Sequence, residues 1–365
     1  GKKLAAYFMD IRKLEEILKK YGELKFRLEQ IKKAIFQDGV FSFSEISTIS
    51  KGLRERLDKE IRVLSFSPEK IFKARDGQSI KALLKLKDGN LIETVLISPK
   101  PGLWSACISC QVGCVMGCRF CATGKMGFIR NLTAEEITDQ VLFWRQYLRK
   151  SKIQNIKSKK IGNGDLEIGN YDISNVVYMG MGEPFLNWPE VSQSLKDLIN
   201  PELLGFGSRS ISVSTSGIGE GIENFGRVFP QINLAISLHF ASDKKREEFM
   251  PVNKKYNLEK VKKALQKYLE HSNRKVFIEY ILLSRINDSR EDARDLSNYL
   301  KSIGKAHLLH VNLIRYNTTS ENLKPSSGNV TQKFKNYLLQ NNISATIRKS
   351  LGEEIQGACG QLAGK

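Results

Sequence analysis

The segment CISCQVGCVMGCRFCATGKMGFIR, residues 107–130, holds five of the six cysteines of a 365-residue chain. Cys114, Cys118 and Cys121 form a Cys-x3-Cys-x2-Cys set, while Cys359 stands far away along the chain. Cysteine concentrated in this way points to metal or redox chemistry. The first residues, GKKLAAYFMD, lack the apolar core and cleavage site of a signal peptide. No window approaches about 18 consecutive apolar residues, the length that would suggest a membrane span. The expected location is cytoplasmic, away from any membrane, where crowded thiols stay reduced and structural disulfides are disfavoured.

Two metal chemistries compete. Cys107/Cys110 and Cys118/Cys121 are both Cys-x2-Cys pairs, with seven residues between them. A zinc ribbon separates its pairs by about 15–20 residues. The three-cysteine set suits an iron–sulfur cluster better, because thiolates are the normal cluster ligands. A [4Fe–4S] cube offers four irons, so three protein thiolates leave one open. An open iron can be chelated by the amino and carboxylate groups of S-adenosylmethionine. Electron transfer into the sulfonium then gives a 5′-deoxyadenosyl radical, chemistry that belongs to the cofactor while the protein positions it.

Outward from this segment the hydrophobic period changes twice. Ile11, Leu14, Ile17 and Leu18, then Leu24, Leu28, Ile31 and Ile35, recur at helical spacing, and a further helix is expected from Lys51 to Ile61. Residues 80–87 and 91–98 read as strands joined at Asp88-Gly89-Asn90, a hairpin. A Thr133/Glu136 capping box opens a helix over 134–150, and the Lys-, Gly- and Asn-rich residues 150–172 read as a basic loop. From there strands are expected at 175–180, 210–215, 232–238, 276–283, 308–315 and 343–348. Helices fit at 189–199, 243–249, 257–270, 289–302 and 331–340. With a strand at 105–112, this βα alternation gives an α/β fold with a parallel sheet. Six parallel strands before the last segment suggest a partial barrel; an open doubly wound sheet is the alternative. Polar and glycine-rich stretches follow the strands, where active sites of such folds lie.

The chain carries 58 Lys+Arg against 39 Asp+Glu, a net charge of +19. That suits a polyanionic partner, most simply nucleic acid, although solvated lysine-rich faces produce the same balance. A zinc-stabilised RNA-binding protein without catalysis therefore stands as an alternative to a radical enzyme.

The cysteines and strand ends sit inside longer words: QVGC (111–114), FCATG (120–124), MGMGEP (179–184), STSG (214–217), MPVN (250–253) and ACGQL (358–362). Together these resemble the RlmN/Cfr family of radical-SAM RNA adenine methyltransferases, from about residue 24 onward. The resemblance implies a partial (β/α)6 radical-SAM barrel over residues 101–350. It places a small N-terminal helical, RNA-contacting domain at 1–61, a linking β-hairpin at 62–100 and a C-terminal segment at 351–365. It further implies one [4Fe–4S] cluster per chain on Cys114, Cys118 and Cys121. S-adenosyl-L-methionine, two molecules consumed per methylation, would contact Gly182, Glu183, Ser214, Ser237, Leu238, His239 and Asn317. Read alone, His239 is as easily a satisfied core histidine.

In the family a cysteine matched by Cys359 accepts a methyl group. A second, matched by Cys107, removes the proton and closes a Cys107–Cys359 disulfide that releases product. An acid matched by Glu93 is the proton acceptor, although Glu93 in LIETVLI, read alone, would face solvent on an open hairpin face. The implied substrates are an adenine of 23S rRNA and of tRNA, methylated at carbon 2 in the RlmN branch; the Cfr branch methylates carbon 8. An electron donor such as flavodoxin or ferredoxin is implied, and the chain is expected to act as a monomer.

Departures from the family pattern are local. Cys110 stands where Ser is usual, either inert or competing for Cys359. Thr318 follows Asn317 where Pro is common, and Glu353 to Gln356 replace an Asp-rich run. Trp104 and Arg315-Tyr316 look Cfr-like, whereas Glu183-Pro184 and STSG look RlmN-like. Anaerobic reconstitution is expected to yield an iron-loaded protein with the visible absorbance of a cluster. A colourless chain carrying stoichiometric zinc would overturn the radical reading.

Overall fold

The computed structural model describes residues 7–8, 11–100, 102–159 and 172–364. The helical period near the start becomes a small module: β1 (Tyr7–Phe8), α1 (Ile11–Lys20), α2 (Phe26–Lys32), α3 (Lys51–Glu60) and β2 (Ile61–Arg62), with β1 and β2 paired in parallel. Leu14, Ile17, Leu18, Ile31 and Ile35 are buried, as their spacing requires. Ser50 caps α3 by accepting the Leu53 amide at 3.3 Å.

Four antiparallel strands follow: β3 (Phe66–Lys73), β4 (Ser79–Leu86), β5 (Leu91–Lys100) and β6 (Leu103–Cys107). The expected hairpin is β4–β5, and Asp88 in its turn accepts the Asn90 amide at 3.0 Å. Strand β3 was not foreseen, because FSPEKIFK contains Pro68 and lacks a clear apolar face. It forms the edge of the sheet and is largely exposed, the one setting in which a strand tolerates proline.

The cysteine segment forms β7 (Gln111–Gly113), α4 (Ala122–Met126) and β8 (Phe128–Asn131), with β7 paired only to β8. The strand expected over 105–112 is therefore two strands. The break falls where the Ser109 amide turns to Gln140 and the Cys110 amide to the Met181 carbonyl, both at 2.8 Å. The alternation then runs α5 (Ala134–Lys159), β9 (Ile173–Tyr178), α6 (Trp188–Ile199), β10 (Ile211–Thr215), α7 (Gly219–Val228), β11 (Asn233–Ser237), α8 (Asp243–Phe249) and α9 (Leu258–His271). It continues β12 (Val276–Leu282), α10 (Arg290–Ile303), β13 (Leu309–Arg315), α11 (Gly328–Gln340) and β14 (Ser344–Ile347).

The Thr133/Glu136 capping box is present, with bonds of 3.3 and 3.0 Å. Helix α5 outruns its expected end at 150, so the basic loop expected over 150–172 begins as helix. No proline or glycine interrupts 150–159. Residues 160–171 of that expected loop lie outside the described residues. Helix α7 was missed because three glycines lower its propensity; burial of Ile222 and Phe225 holds it instead.

One ten-stranded sheet runs in the order β3, β4, β5, β6, β9, β10, β11, β12, β13, β14. It is antiparallel up to β6 and parallel from β6 onward. A doubly wound sheet reverses its strand order at a switch point. This order never reverses, so the architecture is a partial barrel. Residues paired in parallel register share a face. On one face Val176, Val213, Leu234, Ile236, Ile278 and Val311 are buried, and Tyr178 and Tyr280 on that face reach Ser194 of α6 and Phe334 of α11. The opposite, inner face carries Cys107, Ser212, Ser214, Ser237, Glu279, Asn312 and Thr346.

The N-terminal module is fastened to this barrel through α5. Arg145 and Gln146 each donate at 2.7 Å, to the carbonyls of Phe36 and Val40. Among the described residues no helix is long and apolar enough to cross a membrane.

Asp139 of α5 is buried and accepts the Ser65 amide at 2.7 Å. Burial raises its carboxyl from 3.8 to about 7, against the pull of that hydrogen bond. The folded chain therefore holds this proton more tightly than the unfolded one. The resulting stability is complete below 3.8 and is lost as the pH rises through about 7. Asp139→Asn is expected to remove about 2 kcal/mol of the stability difference between pH 5 and pH 7. Urea unfolding of both proteins at the two pH values measures this, and equal differences would place the proton elsewhere.

Candidate active site

The cysteine loop is wound tightly on itself. The Cys114 amide donates to the Gly127 carbonyl at 2.8 Å, and the Cys121 amide to the Cys118 carbonyl at 3.1 Å. A Cβ on Gly124 would stand 2.8 Å from the Cys118 nitrogen, so only glycine lets α4 lie against the loop. Burial pushes the Cys114 thiol up to about 12. Burial, with repulsion from Cys121 and Cys114, holds the Cys118 thiol well above its ordinary value. Thiols so crowded ionise once a metal centre compensates their charge, which is the donor chemistry of an iron–sulfur cluster. Among the described residues no three His, Cys, Asp or Glu side chains gather as the shell of one ion. Thiolates that bind different irons of a cluster stand farther apart than the ligands of one ion, so these two observations are compatible.

The C-terminal segment folds back across this loop. The Ala122 amide donates to the Gly360 carbonyl at 2.7 Å, and the Thr123 hydroxyl to the Leu362 carbonyl at 2.6 Å. Cys359 is thereby exposed at the rim of the inner face, in a setting dense enough to desolvate its thiol. Burial raises that thiol; the charge of Glu279 acts in the same direction, and Cys121 also contributes. Burial and the nearby Cys359 raise the Cys107 thiol in turn. The charge of Cys359 thus acts on Cys107, and the segment that carries Cys359 lies on the cysteine loop. Cys110 does not join them. It is buried, and the charges that act on it are those of Glu183 and Cys114.

The strand-end words form a contiguous surface. Gly182 has a φ of +105°, and a Cβ there would lie 2.6 Å from Gln111 Cβ. This turn delivers Glu183 into the interior. Its Oε2 accepts the amide and hydroxyl of Ser216, both at 2.7 Å, while Oε1 accepts the Phe185 amide at 3.1 Å. Burial raises the Glu183 carboxyl, and the Ser216 bonds oppose the shift. The hydroxyls of Ser214 and Ser237 lie 3.1 Å apart on adjacent strands.

Leu238 is buried, and its amide is tied to the Glu279 carbonyl at 3.1 Å. His239 adopts a φ of +59°, a rare conformation for a non-glycine residue. Its Nδ1 accepts the Ile281 amide at 3.2 Å, and burial, followed by the charge of Arg246, lowers the ring to about 3. The imidazole is therefore neutral with its proton on Nε2, a hydrogen-bond donor. Asn317 donates to the Cys359 carbonyl at 3.2 Å and so also braces the C-terminal segment.

Glu93 is 1% exposed and does not face solvent. Lys81 on β4 donates to its Oε1 at 2.7 Å, and the amides of Ala363 and Gly364 donate to Oε2 at 2.7 and 3.2 Å. β4 and β5 are covered on both faces, because β5 continues into the barrel sheet and the C-terminal segment packs against it.

Comparisons with known proteins agree with this geometry. Residues 7–63 match the profile of the ribosomal RNA large subunit methyltransferase N-terminal domain. The ribosomal RNA large subunit methyltransferase Cfr of Clostridium botulinum (strain Okra / Type B1) is 40% identical over 355 residues, spanning 94% of this chain and 96% of its own. The chain belongs to the RlmN/Cfr family of radical SAM methyltransferases. The probable dual-specificity RNA methyltransferase RlmN of Alkaliphilus metalliredigens (strain QYMF) is 38% identical, covering 98% of this chain and 94% of its own. A radical SAM methyltransferase from Sphaerobacter thermophilus has a crystal structure that superposes with a TM-score of 0.87. It is 34% identical and covers 99% of this chain and 100% of that one.

Within this RlmN/Cfr architecture, two residues escaped sequence reasoning. Glu279, in the middle of the apolar strand VFIEYIL, lies in the site, and its only signal was a charge in a core strand. Arg246 is fully buried, and among the described residues it has no ion pair with a carboxylate. It donates to the carbonyls of Ser216, Leu238 and Tyr256 and to Asn253 Oδ1, at 2.6 to 3.2 Å. It thus binds the STSG, Ser237–His239 and MPVN segments together, and Asn253 of the last was its faint sequence signature. Arg246→Met is expected to destabilise the protein by about 3 kcal/mol or more, since it orphans several buried acceptors. Urea unfolding measures the loss; a change below about 1 kcal/mol would show that the segments hold themselves.

Proposed function

We propose that this chain methylates carbon 2 of an adenine in large-subunit ribosomal RNA, and in tRNA, with Cys359 carrying the methyl group. The observation that supports this most is the docking of the segment that carries Cys359 onto the Cys114–Cys121 loop, through Ala122 on Gly360 and Thr123 on Leu362, although the chain places them far apart. When bound, a [4Fe–4S] cluster on Cys114, Cys118 and Cys121 and S-adenosylmethionine supply a methyl group and a 5′-deoxyadenosyl radical. The residues around them bind and orient. Glu183 Oε1 accepts one protein hydrogen bond and keeps a lone pair for an amine. The Ser214 and Ser237 hydroxyls and His239 Nε2 suit ribose and adenine edges, with Gly182, Leu238 and Asn317 shaping the walls.

Cys107 projects from β6 into the inner face and is assigned the proton carried by the reacting carbon. Attack of the Cys107 thiolate on the Cys359 sulfur would then form the disulfide and break the bond from that sulfur to the transferred carbon, which keeps the electron pair and takes up a proton as the product leaves. Glu93 is assigned the role of proton acceptor; Lys81 and the two C-terminal amides occupy its carboxylate, so accepting a proton requires that tail to release it. Exposed Val115, Phe128 and Ile129, with Arg119 and Lys125 beside them, give the rim an apolar surface for an unstacked base and cations for phosphates. The N-terminal helical module is assigned to RNA contact, a flavodoxin- or ferredoxin-type protein to electron delivery, and the working form to a monomer.

The carbon 8 reading draws on the Cfr-named relative at 40% identity against 38% for the RlmN-named one. We favour carbon 2 on the Glu183-Pro184 and STSG words. Mass mapping of methyladenosine isomers in ribosomal RNA from cells expressing this chain is expected to show 2-methyladenosine; 8-methyladenosine would move the chain to the other branch. Cys359→Ala is expected to abolish RNA methylation while cluster content and reductive cleavage of S-adenosylmethionine persist. Methylation by that variant would rule out the methyl-cysteine relay.

A further inference from the structure

The inner face of the sheet holds a carboxylate to which the residues above give no task. Glu279 sits near the middle of β12 and is 6% exposed. It pairs in register with Ser237 on β11 and Asn312 on β13, so all three side chains share the face that carries Ser214 and Cys107. Its Oε1 accepts the Asn312 side-chain amide at 2.8 Å, which fixes the orientation of the carboxylate. Among the described residues no hydrogen bond and no ion pair reaches Oε2. Burial raises the Glu279 carboxyl, with only the Asn312 bond and exposed Arg348 acting against it. Oε2 is not fully enclosed, so it opens to the space over the inner face, where it can accept a donor from a ligand.

Its place in the row shows which ligand that is. Of the residues assigned to S-adenosylmethionine, those within strands run from Ser214 on β10 to Ser237 on β11, while Asn317, past the end of β13, spends its side-chain amide on the Cys359 carbonyl at 3.2 Å. Glu279 lies one strand beyond Ser237 and is bonded to Asn312 on β13, the strand whose end holds Cys359; its charge also acts on that thiol. What reaches a methyl group on Cys359 is the target base. The edges of adenine outside its amino group present only ring-nitrogen acceptors, whereas a carboxylate needs a donor.

We propose that Glu279 contacts the target base, its Oε2 accepting a hydrogen bond from the exocyclic amino group of adenine and so selecting adenine over guanine, whose O6 is an acceptor. This rests on the reading that an adenine in RNA is the substrate.

The test is a cycle on the reconstituted holoenzyme. Glu279→Gln, which preserves shape, is paired with an RNA fragment whose target adenosine is replaced by purine riboside, which lacks the amino group. Single-turnover methylation and affinity for the fragment are read for all four combinations. Removing either partner alone is expected to slow methylation by about 10- to 100-fold, as for one charge-assisted hydrogen bond. Removing both is expected to cost no more than removing one. Equilibrium affinity for S-adenosylmethionine is expected to stay unchanged in Glu279→Gln.

Losses that multiply, or equal rates on adenosine and purine riboside with the unaltered enzyme, would overturn the contact; the second result needs no variant to fold. A matching loss of S-adenosylmethionine affinity would assign the carboxylate to that ligand instead. No methylation of any adenosine-containing RNA by the unaltered holoenzyme would overturn the functional reading itself, and the contact with it.

Discussion

One backbone hydrogen bond, from the Ala122 amide to the Gly360 carbonyl at 2.7 Å, joins the two distant parts of this chain that carry thiols. The cysteine loop and the C-terminal segment are each short and irregular, and neither has a sheet neighbour to fix it. Their mutual bonds, with Thr123 on Leu362 and Asn317 on Cys359, replace that support. Leu362 is buried in the core, so the tail is held by apolar packing as well as by polar contact. Closing so long a loop adds little entropy cost beyond that of a shorter one, because the cost grows only slowly with length. The barrel already holds both ends near each other, and a few bonds are enough to set the register.

The sheet divides its labour between faces. Valine, leucine and isoleucine on the outer face meet the helices and supply the burial that holds the fold. The inner face carries serines, Glu279, Asn312 and Thr346. A complete (β/α)8 barrel fills its interior with bulky side chains. Here polar side chains share the interior with Ala235, Phe277 and Ile281, and they bond to one another where they can, as Ser214 does with Ser237 and Asn312 with Glu279. A chamber of this kind contributes little to stability and much to recognition. The chemistry of its walls can therefore differ between relatives while the outer face keeps the fold.

Much of this was legible in the sequence, for identifiable reasons. The crowding of Cys114, Cys118 and Cys121 was readable because their spacing is a local property of one loop. The strand order was readable because βα units leave few topologies. Three failures share a different cause, since each depends on what tertiary neighbours supply. Helix α7 is glycine-rich and exists because Ile222 and Phe225 find a core. Strand β3 exists because β4 offers it an edge. The buried position of Glu93 could not be inferred from LIETVLI, because the Lys81 partner and the cover from residues 363–364 come from elsewhere. Glu279 and Arg246 were missed for a related reason: a single charge in an apolar run carries no period, and its meaning depends on the groups opposite it. The pairing of Cys107 with Cys359 rests on family resemblance, not on spacing.

The clasp on Glu93 also orders the assembly of the molecule in time. Its carboxylate is buried beside Lys81, and among the described residues Oε2 is bonded only by the amides of residues 363 and 364. Those residues leave the ribosome after every strand of the barrel has been made. Until they arrive, β5 holds a buried acceptor without its donors, a state that favours an open and solvated hairpin. Their docking removes that penalty and draws Cys359 over the cysteine loop in the same motion. The order of synthesis thus places the barrel strands before the segment that carries Cys359.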